Sequence, residues 1–223
     1  MLKIENTEVF GWEAAIRGAR NPMNSWDRMD SNWGLKEDPS AISPNDELYF
    51  FVGDNDLKLM KNLAKAGSDH AKYLRMINVT CDITAPLYWW KEFDTYKVGT
   101  VANSCSTMHK IHSKEFTLDD FSHEHLIDEF EKAGTYKYCL LVLIAHLNRA
   151  REKFLETKDK KYWWQMIQLL PSSYNQKRTV QLNYEVLRHQ YHARKNHKLD
   201  EWHTYCDWID TLPYAKELII GEE

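Results

Sequence analysis

Apolar positions recur along this chain at two spacings, and each spacing predicts a kind of element. Ile77, Val79, Cys81 and Ile83 alternate with Asn78, Thr80 and Asp82, so 76–84 reads as a half-buried strand. Leu57, Met60, Leu63 and Ala64 share one helical face over 54–66, with Asp54 or Asn55 placed to cap it and Gly67 to stop it. A third pattern predicts a long helix over 136–157, with an apolar heart at 139–145 and a charged end at 149–161. That heart is too short to cross a bilayer, so it calls for cover from other helices or another subunit. Weaker signals fill in the rest: a strand at 8–11, a helix at 12–19 carrying Ala14, Ala15 and Ile16, and an apolar run at 48–52, strand or helix. Further on come a polar passage with short helical turns at 108–122, an amphipathic stretch at 124–133 and a helix over 162–170 stopped by Pro171. A strand at 179–183 and two helices at 184–194 and 200–212 close the chain. The segment 21–46, rich in Pro, Asn, Asp, Ser and Trp, reads as a long loop that either lines a site or makes a surface excursion. The sum is one α+β domain over 1–223, with more helix than strand.

One stretch, 85–106 (APLYWWKEFDTYKVGTVANSCS), carries the densest information. Thr84 is placed to cap a helix whose first turn holds Pro86. Leu87, Tyr88, Trp89, Trp90 and Phe93 give that helix a large apolar surface. An extended exit over 95–103 follows, bent at Gly99, and it delivers Asn103, Ser104, Cys105 and Ser106 to one point. An apolar helix that presents amides and hydroxyls together is how a fold builds a ligand wall. The same letters also describe a buried helix followed by an ordinary turn.

Composition narrows the function classes. The 223 residues include nine Trp and twelve Tyr, and 43% are apolar, enough for a substantial core. A net charge of −4 argues against bulk attraction to polymeric nucleic acid or an anionic membrane. No apolar run approaches the roughly 20 residues of a membrane span. The first residues lack the apolar core of a signal peptide, so a cytoplasmic protein is expected. Cys81, Cys105, Cys139 and Cys206 are far apart, which argues against a zinc site or a disulfide framework and fits a reducing compartment.

Three constellations bear chemistry. Cys105 is a nucleophile only if a base lies nearby; otherwise it is an inert thiol. His189 and His192 share a helix face, with His197 and His203 beyond, but the set lacks the spaced thiolate or carboxylate of a zinc signature, so no metal is expected. Arg188, Arg194, Lys195 and Lys198 surround Tyr191. Such a basic patch on an acidic protein suits a small anionic ligand, or is a solvated helix end.

The residues also carry a family resemblance. The chain resembles the flavin-dependent thymidylate synthases, in which an apolar helix precedes R-H-R-x-x-S-x-N-E-x-S-x-R. Here Asn103 and Ser106 match that motif's N and last S, while Ser104 stands for the Glu and Met108 for the final Arg. The R-H-R falls on Tyr96, Lys97 and Val98, or one residue earlier, in which case Thr100 takes the first Ser; Lys97 is the cation left either way. The region 56–68 resembles the helix and Gly turn ahead of the family's flavin-contacting segment. In the second half, Leu170-Pro171 is followed by Asn183 at the family's spacing, and LNYEVLRHQYHAR brings Arg194 to the place of a nucleotide-binding arginine. His197, Glu201 and Tyr205 continue the pattern, and Ile167 replaces a second arginine.

The resemblance implies a helix-rich α+β subunit with a small, mostly antiparallel sheet, assembled as a homotetramer whose sites draw on several subunits. It implies FAD as cofactor and methylation of dUMP to dTMP, with methylenetetrahydrofolate as carbon donor and NADPH as reductant. Asn103, Asn183, His189 and Lys97 would then be cofactor contacts, and Arg194, Ser104 and Ser106 nucleotide contacts. Because the motif is altered at several positions, three functions follow: that activity, flavin or nucleotide binding with another reaction, or a non-catalytic role.

Overall fold

The computed structural model describes residues 1–35, 48–129 and 134–221. The expectations placed on 36–47 and 130–133 lie outside the described residues. The protein is a helix-rich α+β fold with a small, mostly antiparallel sheet. The chain clusters into two compact units. Unit one comprises 1–6, 81–97 and 101–180; unit two comprises 7–80, 98–100 and 181–223. The elements in order are β1 (Lys3–Phe10), α1 (Trp12–Arg20), β2 (Asn32–Leu35), β3 (Leu48–Phe51), α2 (Asp54–Lys65), β4 (Asn78–Pro86) and α3 (Leu87–Phe93). They continue with β5 (Val101–Ser104), α4 (Thr107–Lys110), α5 (Tyr136–Thr157), α6 (Lys160–Leu169), β6 (Asn175–Asn183), α7 (Tyr184–Arg194) and α8 (Asp200–Asp210). The larger sheet has the order β1-β4-β6-β5, and β2 pairs antiparallel with β3, Trp33 opposite Phe50.

In unit one, β4 enters α3 without the expected Thr84 cap. Thr84 is still strand, and Pro86, extended at ψ 151°, is the residue that precedes the helix. The first free amides of α3 find backbone partners instead: Leu87 N–H donates to the Tyr174 carbonyl and Tyr88 N–H to that of Ser172, both at 3.0 Å. A helix start served by carbonyls has no need of a capping side chain. Trp89, Trp90 and Phe93 are buried with ring centroids 5.0–5.1 Å apart, and the Trp90 indole N–H donates to the Gln176 carbonyl at 2.9 Å. The exit from α3 is a turn over 94–100, and extended backbone begins at Val101, later than expected.

Helix α5 has the predicted bounds. Thr135 caps it by accepting from Tyr138 N–H at 3.0 Å, and Lys158 ends it at φ 57°. Leu140, Ile144, Leu147 and Ala150 pack with Ile111, Phe116, Phe121 and Met166. Among the described residues one stripe of the helix is covered, while Tyr138, Leu141 and Val142 are exposed. Beyond Ser122, 124–129 is turn and irregular chain.

Unit two is built around α1, α2, α7 and α8, with Ile16, Met60, Leu74, Leu187, Trp202, Tyr205 and Ile209 in its interior. Gly53, which precedes α2, has no side chain to cap it, and the expected caps Asp54 and Asn55 are already helical. The backbone N–H groups of Asn55 and Asp56 donate to the Asp30 carboxylate at 2.9 and 3.0 Å. Alongside Met60 and Ala64, α2 buries a charge, Asp56. Asp56 Oδ1 accepts from Arg20 Nε at 2.5 Å, and its Oδ2 accepts from the Ser31 hydroxyl at 2.6 Å and from the Ser31 and Asp30 amides. Arg20 also donates to the carbonyls of Ser25 and Arg28. The described part of the expected loop, 21–35, is thus held by a buried ion pair and contains two short 3₁₀ turns before β2. The first strand begins at Lys3 and stops at Phe10, longer than the sequence pattern suggested, and Gly11 turns out of it at φ 96°.

Candidate functional site

A cavity of about 550 Å³ lies along α7 within unit two. Its apolar lining comes from Ala64, Ala71, Leu74, Val98 and Val186. Its polar lining comes from Ser68 and from Arg75, Glu185, Arg188, His189 and His192. The sequence positions those groups in a simple way. Asn183 caps α7 by accepting from Val186 N–H at 3.0 Å, and the helix that follows presents 185, 188, 189 and 192 along one face. The C-terminal end of α2 and the left-handed Gly67, φ 108°, form another wall, and a Cβ at Gly67 would meet nothing within 4 Å. Val98 and Gly99 arrive from the turn after α3. Gly99 sits at φ 74°, where a Cβ would lie 2.7 Å from Asn183 Nδ2. The residue that caps α7 therefore also requires glycine at 99.

The charges in this cavity are arranged. Arg75 pairs with Glu185 through both Nε and Nη2, the latter at 2.9 Å, and this raises the Arg75 pKa. The carboxylate is thereby neutralised. Arg188 donates from Nη1 to the Ala64 carbonyl at 3.1 Å, a bond that uses one edge of its fork and ties α7 to α2. The cavity is left with cationic and imidazole groups above an apolar floor. That combination suits a planar ring with anionic substituents.

A second cavity, about 450 Å³, lies within unit one. Cys105, Ser106, Thr107, Lys110, Asn175 and Lys177 are among its lining residues. The Ser106 hydroxyl accepts from His109 N–H at 3.0 Å and so caps the short helix α4. Nearby, Asp82 accepts from Thr179 Oγ1 at 2.6 Å and from Asn6 at 2.9 Å, and pairs with Lys177 at 3.1 Å; these contacts hold its pKa down at about 2.

Of the predicted site residues, Asn183 and His189 belong to unit two, His189 lining the α7 cavity and Asn183 backing Gly99. Arg194, also in unit two, lies with its guanidinium 4.7 Å from the Trp202 ring centre and does not line that cavity. Lys97, Asn103, Ser104 and Ser106 belong to unit one, all exposed, with Ser106 at the second cavity. Arg188, read in the sequence as part of a basic patch for a small anionic ligand, and His192, read as sharing a helix face with His189, also line the α7 cavity. Arg75 drew no attention in the sequence because its partner, Glu185, is 110 positions away. The four cysteines are free thiols, Cys81 and Cys206 buried, with the Cys81 thiol pushed up to about 12 by burial. Among the described residues no group of three or more His, Cys, Asp or Glu is placed to hold a metal ion, and no helix is long and apolar enough to cross a membrane.

No protein-family model matches the sequence, and no curated protein matches it by sequence. Solved structures do match by shape. Thymidylate synthase X from Helicobacter pylori, with FAD and dUMP, superposes with a TM-score of 0.66 at 14% identity, covering 98% of this chain and 97% of that one. The fold is that of the flavin-dependent thymidylate synthases. A second structure of the Helicobacter pylori enzyme with the same ligands gives 0.65 at 14% identity, covering 97% of each chain. A UMP/dUMP methylase, PolB, from Streptomyces cacaoi, bound with 5-Br dUMP, gives 0.58 at 15% identity, covering 99% of this chain and 95% of that one. All three similar structures, of two proteins, carry a uridine-class nucleotide, and coverage near the full length of each pair leaves no large insertion on either side.

Proposed function

We propose that this chain is a flavoprotein of the thymidylate synthase class that methylates dUMP to dTMP, with methylenetetrahydrofolate as carbon donor and NADPH as reductant. The observation that carries the proposal is the α7 cavity. Its volume is within the usual range for a ligand site, its floor is apolar, and its sole lining carboxylate, Glu185, is neutralised by Arg75. Those residues fit a flavin: the apolar floor takes a ring, and Arg188, His189 and His192 supply donors for its polar edge or its phosphates. The likeness to proteins solved with FAD and dUMP supports the same ligand pair.

Bound there, the flavin would supply the hydride for the reaction. The chain's own contribution is positioning and charge. Asn183 and Gly99 fix the turn that carries Val98 against the cavity. Arg188, braced on the Ala64 carbonyl, keeps its remaining N–H groups oriented. In unit one, Ser104 and Ser106 offer hydroxyls to a nucleotide and Asn103 an amide to the flavin; in unit two, Arg194 offers a fork for a phosphate or a pyrimidine carbonyl edge. In a homotetramer whose sites draw on several subunits, these groups need not converge within one chain.

A second reading, flavin or nucleotide binding without this activity, is favoured by one observation. Lys97 is the cation left at the altered motif, and a lysine cannot reproduce the paired contacts of the arginines it stands among. The test is a visible absorption spectrum of the purified protein, followed by an assay for dTMP from dUMP with the full set of co-substrates. A flavin spectrum with dTMP formation is the expected result. A flavin spectrum without product selects the second reading. A colourless protein that takes up no FAD overturns both flavin readings.

A further inference from the structure

Unit two holds a larger cavity, about 780 Å³, that shares no lining residue with the one along α7. The geometry points to this cavity as a second ligand site, taking a planar aromatic molecule that carries an anionic or carbonyl acceptor group. Two sets of aromatic rings line it. Trp33 and Phe50, cross-strand partners on the antiparallel pair β2 and β3, form one, with ring centres 5.3 Å apart and planes at 71°. Trp12 and Tyr214 form the other, at 5.3 Å and 70°, and Trp208 joins them from α8, oriented by its indole N–H donating to Thr7 Oγ1 at 3.1 Å. Packed aromatic pairs are ordinarily buried. Here Trp33 is 57% exposed, yet its ring is held, because its indole N–H donates to Glu13 Oε2 at 3.2 Å. A fixed aromatic face left to solvent is pre-organised for stacking and loses little freedom when a ligand ring covers it.

The polar groups decide the class of ligand. Glu13 is the carboxylate in the lining, and both its oxygens are occupied, one by Trp33 and the other by Arg17 Nη1 at 2.6 Å. Arg17 gives one N–H to Glu13, and its other guanidinium N–H groups have no partner among the described residues. An acceptor group on the ligand therefore finds donors at Arg17. A cationic ligand finds a satisfied carboxylate and a neighbouring guanidinium, which removes the advantage the rings alone would give it.

The experiment is calorimetric titration of 2-naphthoate into the full chain with FAD at saturating concentration, repeated with trimethyl-(2-naphthyl)ammonium. The expected result is saturable binding of one naphthoate per chain, about tenfold or more tighter than the ammonium. Trp33→Ala and Arg17→Gln should each weaken it by about tenfold, and Arg188→Ala should leave it unchanged. The proposal fails if naphthoate does not saturate up to millimolar concentration, if the ammonium binds equally well or better, or if Arg188→Ala removes the binding. It fails also if Trp33→Ala, folded by circular dichroism, binds as wild type; should that variant not fold, Arg17→Gln at an exposed guanidinium decides in its place.

Discussion

At the scale of single residues, two arginines on one helix divide the question of ligand binding. Arg188 and Arg194 are six positions apart on α7 and so face different directions. Arg188 lines the cavity, while Arg194 lies over the Trp202 ring. A charge-assisted hydrogen bond contributes roughly 1.5–3 kcal/mol, so Arg188→Ala is expected to weaken FAD binding about ten- to a hundredfold by flavin-fluorescence titration. Arg194→Ala is expected to weaken dUMP binding by a similar factor in calorimetry with FAD present, and equal binding by wild type and variant would remove Arg194 from the nucleotide site. Asp82 carries a separate prediction. Its folded pKa, about 2, lies below the ordinary value of an aspartate, so the carboxylate stabilises the fold above that range. As pH falls from about 4 through 2 the unfolded state takes up the proton first and this contribution is lost. Asp82→Asn should flatten the pH dependence of the thermal midpoint in that window; an unchanged acid limb would mean the Thr179, Asn6 and Lys177 contacts do not hold in solution. Residues whose roles come from pattern, such as the Ile77-to-Ile83 alternation and the Gly67 stop, were legible in the sequence. Asp56 was not: one aspartate near the start of an amphipathic helix reads as a dipole complement, and nothing local says that Arg20 closes over it.

At the scale of elements, legibility followed the source of each element's hydrogen bonds. Helices α5 and α7 carry their own start signals, Thr135 and Asn183, and their bounds could be read directly. Helix α3 could not be bounded the same way, since its first amides are served by carbonyls at Ser172 and Tyr174, some eighty-five positions on. Strand β1 was underestimated because most of its residues are not buried; its exposed and half-exposed pattern is fixed by pairing beside β4, and pairing leaves no apolar alternation. The α1–α2 contact makes the element-scale prediction. Arg20 is 4% exposed and Asp56 fully buried, so removing either partner strands the other's charge. Asp56→Ala is expected to destabilise the protein by about 3–5 kcal/mol, read as a fall in the urea midpoint at unchanged slope. Glu13→Ala at the neighbouring exposed pair with Arg17 should cost less than about 1 kcal/mol. Similar losses for the two variants would show that the Arg20–Asp56 pair is open to water.

At the scale of the whole molecule, the sequence already held the shape of the fold in its order of elements, while the chemistry depends on long-range pairs such as Arg75 with Glu185 that no spacing announces. It also held an unresolved demand, an apolar helix heart needing cover. Within the chain that demand is half met. Leu140, Ile144 and Leu147 are buried, and on the other side Tyr138, Leu141 and Val142 remain exposed at 59%, 44% and 37%. These three recur at i, i+3 and i+4 and so form one stripe, continued by the exposed Ala145. Trp164 and Leu169 of α6 are exposed as well. Scattered apolar residues need no explanation, but a helical stripe does. We propose that this stripe is covered by another copy in a homotetramer. Sedimentation velocity of the wild type at micromolar concentration should then show a species of four chains. A charge at the centre of a buried interface costs several kcal/mol, so Leu141→Glu should shift that species to smaller ones. The residue is exposed within the chain, so its circular dichroism should not change. A wild type that sediments as a monomer, or a Leu141→Glu variant that stays tetrameric, would assign the stripe no role in assembly, and the proposed sharing of ligand groups between subunits would lose its basis.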